Sequence, residues 1–589
     1  MAFQPAVVEA SRDPRVYLSE KEEQDAYVPE NYHVPDGTVP NLETYMYYAK
    51  IQRDREVLST KNDAEGGHWG SLISRIFNRS QESDERSVAS AHSDEKNVTP
   101  SSEDGSGALV TAGEYRAASG ALRTATWGTV FYLITTDILG PFSTPWAFQQ
   151  VGYGPGVACF FVFGIMAAYS GFLLWWMFLK LDSERYPIKS FGDLGQRIYG
   201  NWFRHVCHIL QSLQLVFNVG LIILTNGQSL SQMSQFKLCF SVCNVVWALA
   251  GMILGQIRTL QKFGSIAHLS IWLNVAILIM TMAFVANSLP NYQASLLPAG
   301  PVITQAINLQ PFQQQLNGIM QIVFSYGGAM IFVEFMAEMR RPMDFWKAMA
   351  YSQIFIFVVY MFFGAFVYTY QGQYVVNPAN QGISAYGLQT ATNAISLASG
   401  LIAATLYGNI GIKVIYNNIL VEIFGAPKLT VTRGKYYFAI CVPVYWSIAY
   451  IIGSAIPQVS YLSALVAAIC IFQFSYTFPP FMVLGYCMQL DAIKGDREFD
   501  INNPDAHRVD TWRDLSRWER NSLVPNLTLP PVFANWKNVL FNVWNFLVTL
   551  ACLSCAILSA YSAIVAIVKA FETSTSSSFS CHSPLDNSG

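Results

Sequence analysis

From Trp127 onward the chain is a series of long apolar runs separated by short polar breaks, and this pattern leaves one class of fold open. A hydrocarbon core about 30 Å thick is crossed by roughly 20 helical residues rising ~1.5 Å each. Inside it every backbone amide must be paired within a helix or a closed barrel. By that ruler eleven segments qualify, at 123–149, 154–180, 203–229, 238–256, 262–287, 314–339, 346–371, 390–423, 434–456, 459–488 and 536–569. Barrel strands need only about 9–11 residues, so an all-α polytopic membrane protein is the expectation. Composition agrees, since only 13% of the 589 residues are charged, about half the ~25% usual in soluble domains.

Other classes lack their equipment. A net charge of −3 offers no basic field for nucleic acid. The ten cysteines show no spacing for a tetrahedral metal site and read mostly as small apolar packing residues. No nucleophile motif or phosphate loop is present, so no enzyme, catalytic residue, metal or cofactor is expected.

Residues 1–121 contain the acidic, serine-rich run SQESDERSVASAHSDEKNVTPSSEDGSG and read as a disordered tail, because such a composition buries too little apolar surface to offset ordering entropy. The transmembrane domain then spans 122–570, with a loop at 489–535 whose run DAHRVDTWRDLSRWERN suggests an amphipathic surface helix, and a short tail at 571–589. Lys and Arg cluster in alternate loops: Lys180, Arg185, Lys189, Arg197 and Arg204 in the second, Arg258 and Lys262 in the fourth, Arg340, Arg341 and Lys347 in the sixth, Lys428, Arg433 and Lys435 in the eighth. Basic loops stay in the cytoplasm, which predicts a cytoplasmic N-terminus and an external C-terminus. The tail's serines, with Lys21, Lys50, Lys61 and Lys96, are candidate targets of a regulatory kinase and a ubiquitin ligase.

Two segments carry helix breakers at mid-membrane. In the first, TTDILGPFSTPWAFQQVGYGPG sets Gly140, Pro141 and Pro145 near the centre; in the sixth, IVFSYGGAMIFVEFMAEMRRP sets Gly327 and Gly328 at similar depth. A proline costs ~3 kcal/mol in a helix interior, and glycine pairs are the other common cause of unwinding. Either break alone is compatible with ordinary kinking. Together, five segments apart, they are what an inverted repeat of five helices produces around a binding site. Helix starts there would offer amides to a carboxylate, and helix ends carbonyls to an ammonium group, which suits a zwitterionic amino acid. The candidate substrate residues are Gly140, Pro141, Phe142, Ser143, Phe324, Ser325, Tyr326, Gly327 and Gly328, the aromatics being equally consistent with bundle packing.

The stretch GPFSTPWAFQQVG resembles the signature G-x-x-x-x-P-x-A-x-x-x-x-G of the amino acid/auxin permease family, and KSFGDLGQRIYG is similar to its second cytoplasmic loop. FSYGGAMIFVEFMAEMRRPMDFWKAM resembles the family's second break followed by E-M-x-x-P-x-D-F, and the fungal branch of neutral amino-acid permeases looks nearest. The resemblance covers roughly 120–570. It implies a LeuT-like fold of two inverted five-helix repeats plus an eleventh helix, and proton-driven uptake of neutral aliphatic and aromatic amino acids at the plasma membrane, with a proton rather than sodium as coupling ion.

Ionisable groups inside spans cost at least ~2.5 kcal/mol each and mark function by default. Asp137, one turn before Gly140, Lys413 in GNIGIKVIYNN, and Glu334, about two turns past the second break, are the coupling or gating candidates. Glu338, Arg340 and Arg341 read as a solvated edge or inner gate, and His268 as a packing histidine. A second function class stays open: a non-transporting receptor that binds amino acids on the same scaffold.

Overall fold

A computed structural model describes residues 41–65, 123, 125–138, 141–256, 264–295, 297–421, 424–427, 432–493, 536–573 and 579–586. Eleven crossing segments follow in the anticipated order. Span 1 is divided into Trp127–Ile138 and Thr144–Val151, span 2 is Tyr153–Leu181, span 3 Asn201–Met233, span 4 Phe240–Leu254 and span 5 Gly264–Ala286. Span 6 is divided into Phe312–Ser325 and Phe332–Glu338, and span 7 is Phe345–Gln371. Span 8 is Tyr386–Val414, continued by a π-helical stretch Ile415–Val421; span 9 is Thr432–Ala455. Span 10 runs from Val459–Val466 through two π-helical stretches to Phe478–Ile493, and span 11 is Trp536–Thr573. Among the described residues nine of these are long and apolar enough to cross a bilayer unaided, while span 4 has 15 residues and span 1 is in two pieces.

The helices turn apolar side chains outward. On span 4 Val242, Val246, Leu249 and Ile253 form an exposed stripe at helical spacing, which only lipid can cover at no cost. Spans 6 and 10 are central, with 78% and 72% of their apolar windows buried against 28% for span 11. The buried faces carry amides instead: Gln211, Gln214, Gln228 and Gln232 on span 3, Asn317 and Gln321 on span 6, Asn393 and Asn409 on span 8. Spans 3 and 9 cross at glycines, because a Cβ on Gly453 would stand 2.6 Å from the Gly220 carbonyl oxygen.

Packing reveals the repeat. Span 1 packs on 7 and span 6 on 2; span 5 packs on 8 and span 10 on 3; span 3 packs on 9 and span 8 on 4. Advancing each number by five converts one contact of a pair into the other, and spans 1 and 6, 2 and 7, 3 and 8, 4 and 9 meet directly. Each span runs opposite to its counterpart, since five crossings separate them. The architecture is therefore two inverted five-helix repeats, LeuT-like, with span 11 outside them against spans 6 and 10.

Three expectations change. Within 1–121, Leu42–Glu65 is not structureless: it forms a helix on span 2, because Leu42, Tyr45 and Ala49 fall on one face and are buried. The C-terminal tail is anchored: Cys581 forms a disulfide with Cys239 ahead of span 4, and Leu585 packs with Ala294 and Val376 from the 5–6 and 7–8 loops. Hence two cysteines are cross-linked, whereas the other eight remain free thiols. Pro145 does not interrupt a helix; it occupies the first turn of Thr144–Val151, where the missing amide had no partner to lose. The amphipathic helix expected within 489–535 falls on residues 494–535, outside the described ones.

The disulfide is directly testable. A protease site placed within 494–535 leaves Cys239 and Cys581 on different fragments. The cut protein is expected to migrate as one species on a non-reducing gel and as two after reduction; separation without reductant would refute the pairing.

Candidate functional site

Span 1 is described as helix over Trp127–Ile138 and, past residues 139–140, which lie outside the described ones, as a 3-10 turn, Pro141–Ser143, leading into Thr144–Val151. Ser143 caps that half-helix with no side-chain hydrogen bond, so the first amides of the half-helix face the break without a side-chain acceptor from the cap. Span 6 stops at Ser325, turns at Tyr326, passes through a 3-10 segment Gly327–Ile331 and resumes as Phe332–Glu338, again with no side-chain cap. The two spans run in opposite directions and pack together, a Cβ on Gly318 standing 2.5 Å from the Gln150 Cβ. Mid-membrane thus holds two helix ends and two helix starts, with partial negative and positive charge respectively.

The substrate candidates are distributed unevenly about this junction. Phe142, Ser143, Phe324 and Gly327 are half-buried, whereas Ser325, Tyr326 and Gly328 are buried. Tyr326 is spent on packing: its hydroxyl donates to the Phe160 carbonyl at 3.1 Å, and its ring lies against Gly164 of span 2 and Tyr360 of span 7. Phe142 meets Phe363 edge-on at 6.1 Å, among side chains of spans 5 and 7. The Ser325 hydroxyl donates to the Gln321 carbonyl at 2.8 Å. Ser143, Phe324 and Gly327 remain as the more open candidates. Gly140 lies outside the described residues, as do the side chains of Asp137, Pro141 and His268.

Span 10 supplies the facing wall. Its π-helical stretches pack on Gly327–Ile331, and a Cβ on Gly327 would stand 3.0 Å from Ile471. Beyond the break Gln321 donates to the Ser460 carbonyl at 2.8 Å and accepts from Ser463 at 3.0 Å. Neither amide atom of Asn317, one turn earlier and fully buried, has a hydrogen-bond partner. Trp146 meets Tyr461 edge-on at 6.5 Å, closing spans 1 and 10 above the breaks.

Glu334 is buried on the other side. One carboxylate oxygen accepts from Gln211 Nε2 of span 3 at 3.0 Å and from the Phe191 amide at 3.4 Å; the second has no hydrogen-bond partner among the described residues. Phe191 opens the loop helix Phe191–Tyr199, capped by a reciprocal Ser190 and Asp193 pair, so Glu334 sits at its positive end. Glu338, one turn on, is 5% exposed, and neither of its oxygens is hydrogen-bonded among the described residues. It is a buried member of the helix rather than a solvated edge. Lys413 is half-buried in the last α-helical turn of span 8, ahead of the π stretch. Below Glu338 the spans close on each other: the Ala125 amide donates to the Glu338 carbonyl at 3.0 Å and the Arg340 amide to the Ala125 carbonyl at 2.9 Å. No group of three or more metal-ligating side chains occurs among the described residues.

Gln211, Asn317 and Gln321 escaped the sequence reading, although an amide inside an apolar span is itself a signal of interior polar contact.

Paired interrupted helices at equivalent positions of an inverted repeat, with a buried carboxylate in the second half of span 6, define a multi-pass membrane transporter. The chain belongs to the transmembrane amino acid transporter protein family, whose profile matches residues 123–493, spans 1 through 10. It is 26% identical over 365 residues to the N amino acid transport system protein of Neurospora crassa, covering 60% of this chain and 74% of that one. It is 24% identical over 382 residues to lysine histidine transporter-like 1 of Arabidopsis thaliana, covering 61% and 80%. Among solved structures, a manganese transporter of Eremococcus coleocola aligns with a TM-score of 0.41 at 12% identity, over 76% of this chain and 98% of that one.

Proposed function

We propose that this amino acid transporter carries neutral aliphatic and aromatic amino acids together with protons, by alternating access across the plasma membrane. The observation that carries the reading is the antiparallel pair of interrupted helices, each presenting a helix start without a side-chain cap and a helix end at mid-membrane. The first free amides at the start of Thr144–Val151, Pro145 having none, and at the start of the 3-10 segment Gly327–Ile331 bind the α-carboxylate, and carbonyls ending Trp127–Ile138 and Phe312–Ser325 attract the ammonium group. The break segments PFST and FSYGGAMI contain no charged residue. A charged substrate side chain would lack a counter-ion there, and Phe324 favours an apolar one.

Glu334 is the proposed proton carrier, since a buried carboxylate with one oxygen unpartnered is stabilised by a proton whenever it leaves water. The end bearing Arg185, Arg197, Arg340 and Arg341 is proposed to be cytoplasmic. The disulfide at the opposite end supports this orientation, because cross-links persist in oxidising compartments.

The test is purified full-length protein in lipid vesicles, driven by an imposed pH gradient. Labelled leucine or phenylalanine is expected to accumulate, with competition from neutral amino acids and none from lysine or glutamate. Binding without movement would overturn transport in favour of a receptor; movement indifferent to the gradient would overturn proton coupling.

A further inference from the structure

The helix Leu42–Glu65 packs on span 2 and also reaches the loop helix, the 6–7 loop and span 10 at the basic end. Leu42, Tyr45, Ala49, Arg53 and Glu56 recur at spacings of three and four, so one face carries three buried side chains followed by two charges. Met46 receives the Tyr486 hydroxyl of span 10 at 3.8 Å. The Tyr45 ring lies edge-on to Tyr186 at 5.4 Å and beneath the Arg197 guanidinium at 4.3 Å. Arg197 belongs to the loop helix, which packs chiefly on span 3 and also on spans 10, 2 and 6, and its guanidinium donates to the Leu181 and Tyr186 carbonyls, at the end of span 2 and just after it. Arg53 pairs with Asp182 at 3.2 Å and with Glu56 at 2.7 Å, and Glu56 accepts the Met343 amide of the 6–7 loop at 2.9 Å.

Asp182 is the node. Its side chain is fully buried at the end of span 2 and also pairs with Arg123 at 3.0 Å, two residues before Ala125, which joins the end of span 1 to Glu338 and Arg340. One carboxylate therefore holds the tail and the approach to span 1 through two arginines from separate segments. Burial drives the Arg53 guanidinium down and the Glu56 carboxyl up from their ordinary ranges, so each charge depends on the other for compensation.

We infer that Leu42–Glu65 is an intramolecular clamp that locks the basic end shut, with Asp182 as its receptor. The inference rests on the alternating-access reading, in which spans 1, 2, 6 and 7 rock against spans 3 and 10. The clamp bridges both groups through Asp182 and Met343 on one side and Tyr486 of span 10 on the other, with the loop helix bearing Arg197 seated between them. Opening requires it to release.

The experiment compares full-length wild type with Arg53→Glu, which opposes Asp182 with a like charge, Ala49→Glu, which places a carboxylate in the buried face, and Arg53→Lys, which keeps the charge. Cys207, buried on span 3 one turn before Gln211, is the reporter. Its modification by a maleimide, read by mass spectrometry, is expected to quicken at least ~10-fold in both Glu variants and to stay near wild type in Arg53→Lys. Leucine exchange is expected to quicken in parallel, with melting temperatures showing folded protein. Unchanged Cys207 labelling in Arg53→Glu and Ala49→Glu would overturn the clamp, as would faster labelling seen only in unfolded material. If no variant moves any amino acid, the transport reading fails while Cys207 still decides the clamp.

Discussion

Gly327→Leu is expected to cut leucine uptake by at least ~100-fold, in protein that still inserts and folds, since even 1 Å of misplacement can cost a reaction 10²-fold. A Cβ on Gly327 would already stand 3.0 Å from both Ile471 Cδ1 and Ile471 Cγ2, so the remaining leucine atoms must displace the π-helical wall of span 10 or occupy the half-open face of the break. Either removes the space where the two interrupted helices present their ends. The surrounding spans keep their packing, because the substitution falls in the 3-10 segment between the two α-helical halves of span 6, Phe312–Ser325 and Phe332–Glu338, and inside neither of them. Gly327→Ala asks a few tenths of an ångström of the whole Ile471 side chain, whose Cγ2 as well as Cδ1 is in the way, and is expected to lose no more than a few-fold. Initial uptake normalised to protein in the membrane is the measurement, and adding Ile471→Ala to Gly327→Leu separates a collision with the wall from occlusion of the site. Wild-type uptake by Gly327→Leu would place the substrate elsewhere.

The spans were legible because each long apolar run exceeds what any soluble element needs, and even the 15-residue span 4 stood out between polar loops. The breaks were legible through Gly and Pro, but their detail was not. Pro145 reads as a breaker in sequence, yet it starts a half-helix, a distinction set by where the preceding turn ends. Phe142 and Tyr326 flank the breaks at pocket-like spacing, yet both rings pack toward neighbouring spans, and spacing says nothing about rotamer or azimuth. The tail helix was hidden by average composition: the stripe Leu42, Tyr45, Ala49 sits in a region dominated by charge and serine, and only the apolar pocket at the end of span 2 makes it worth folding. The link between Cys239 and Cys581 spans 342 residues, and pairing over that distance depends on the finished fold.

Glu334→Gln is expected to uncouple transport from protons while leaving the carrier mobile. The amide keeps an oxygen where the carboxylate accepts from Gln211 and Phe191, and its NH2 takes the position of the oxygen that has no hydrogen-bond partner, so shape and both observed bonds survive. What is lost is the ability to take up and release a proton. One pH unit is worth 1.36 kcal/mol per proton, which supports at most about 10-fold accumulation for one-to-one coupling. Wild-type vesicles under that gradient should approach this ratio, and Glu334→Gln vesicles should stay near about 1-fold, while exchange of labelled for unlabelled leucine, which needs no net proton movement, continues within about 3-fold of wild type. Glu338→Gln is the companion variant: Glu338 is buried with neither oxygen hydrogen-bonded among the described residues, and it lies one turn closer to the closed contact with Ala125. Full accumulation by Glu334→Gln with loss in Glu338→Gln would move the carrier by one helical turn. Loss of exchange together with accumulation would make Glu334 a structural strut between spans 3 and 6, because a strut is needed on every turnover whether or not a proton travels with it.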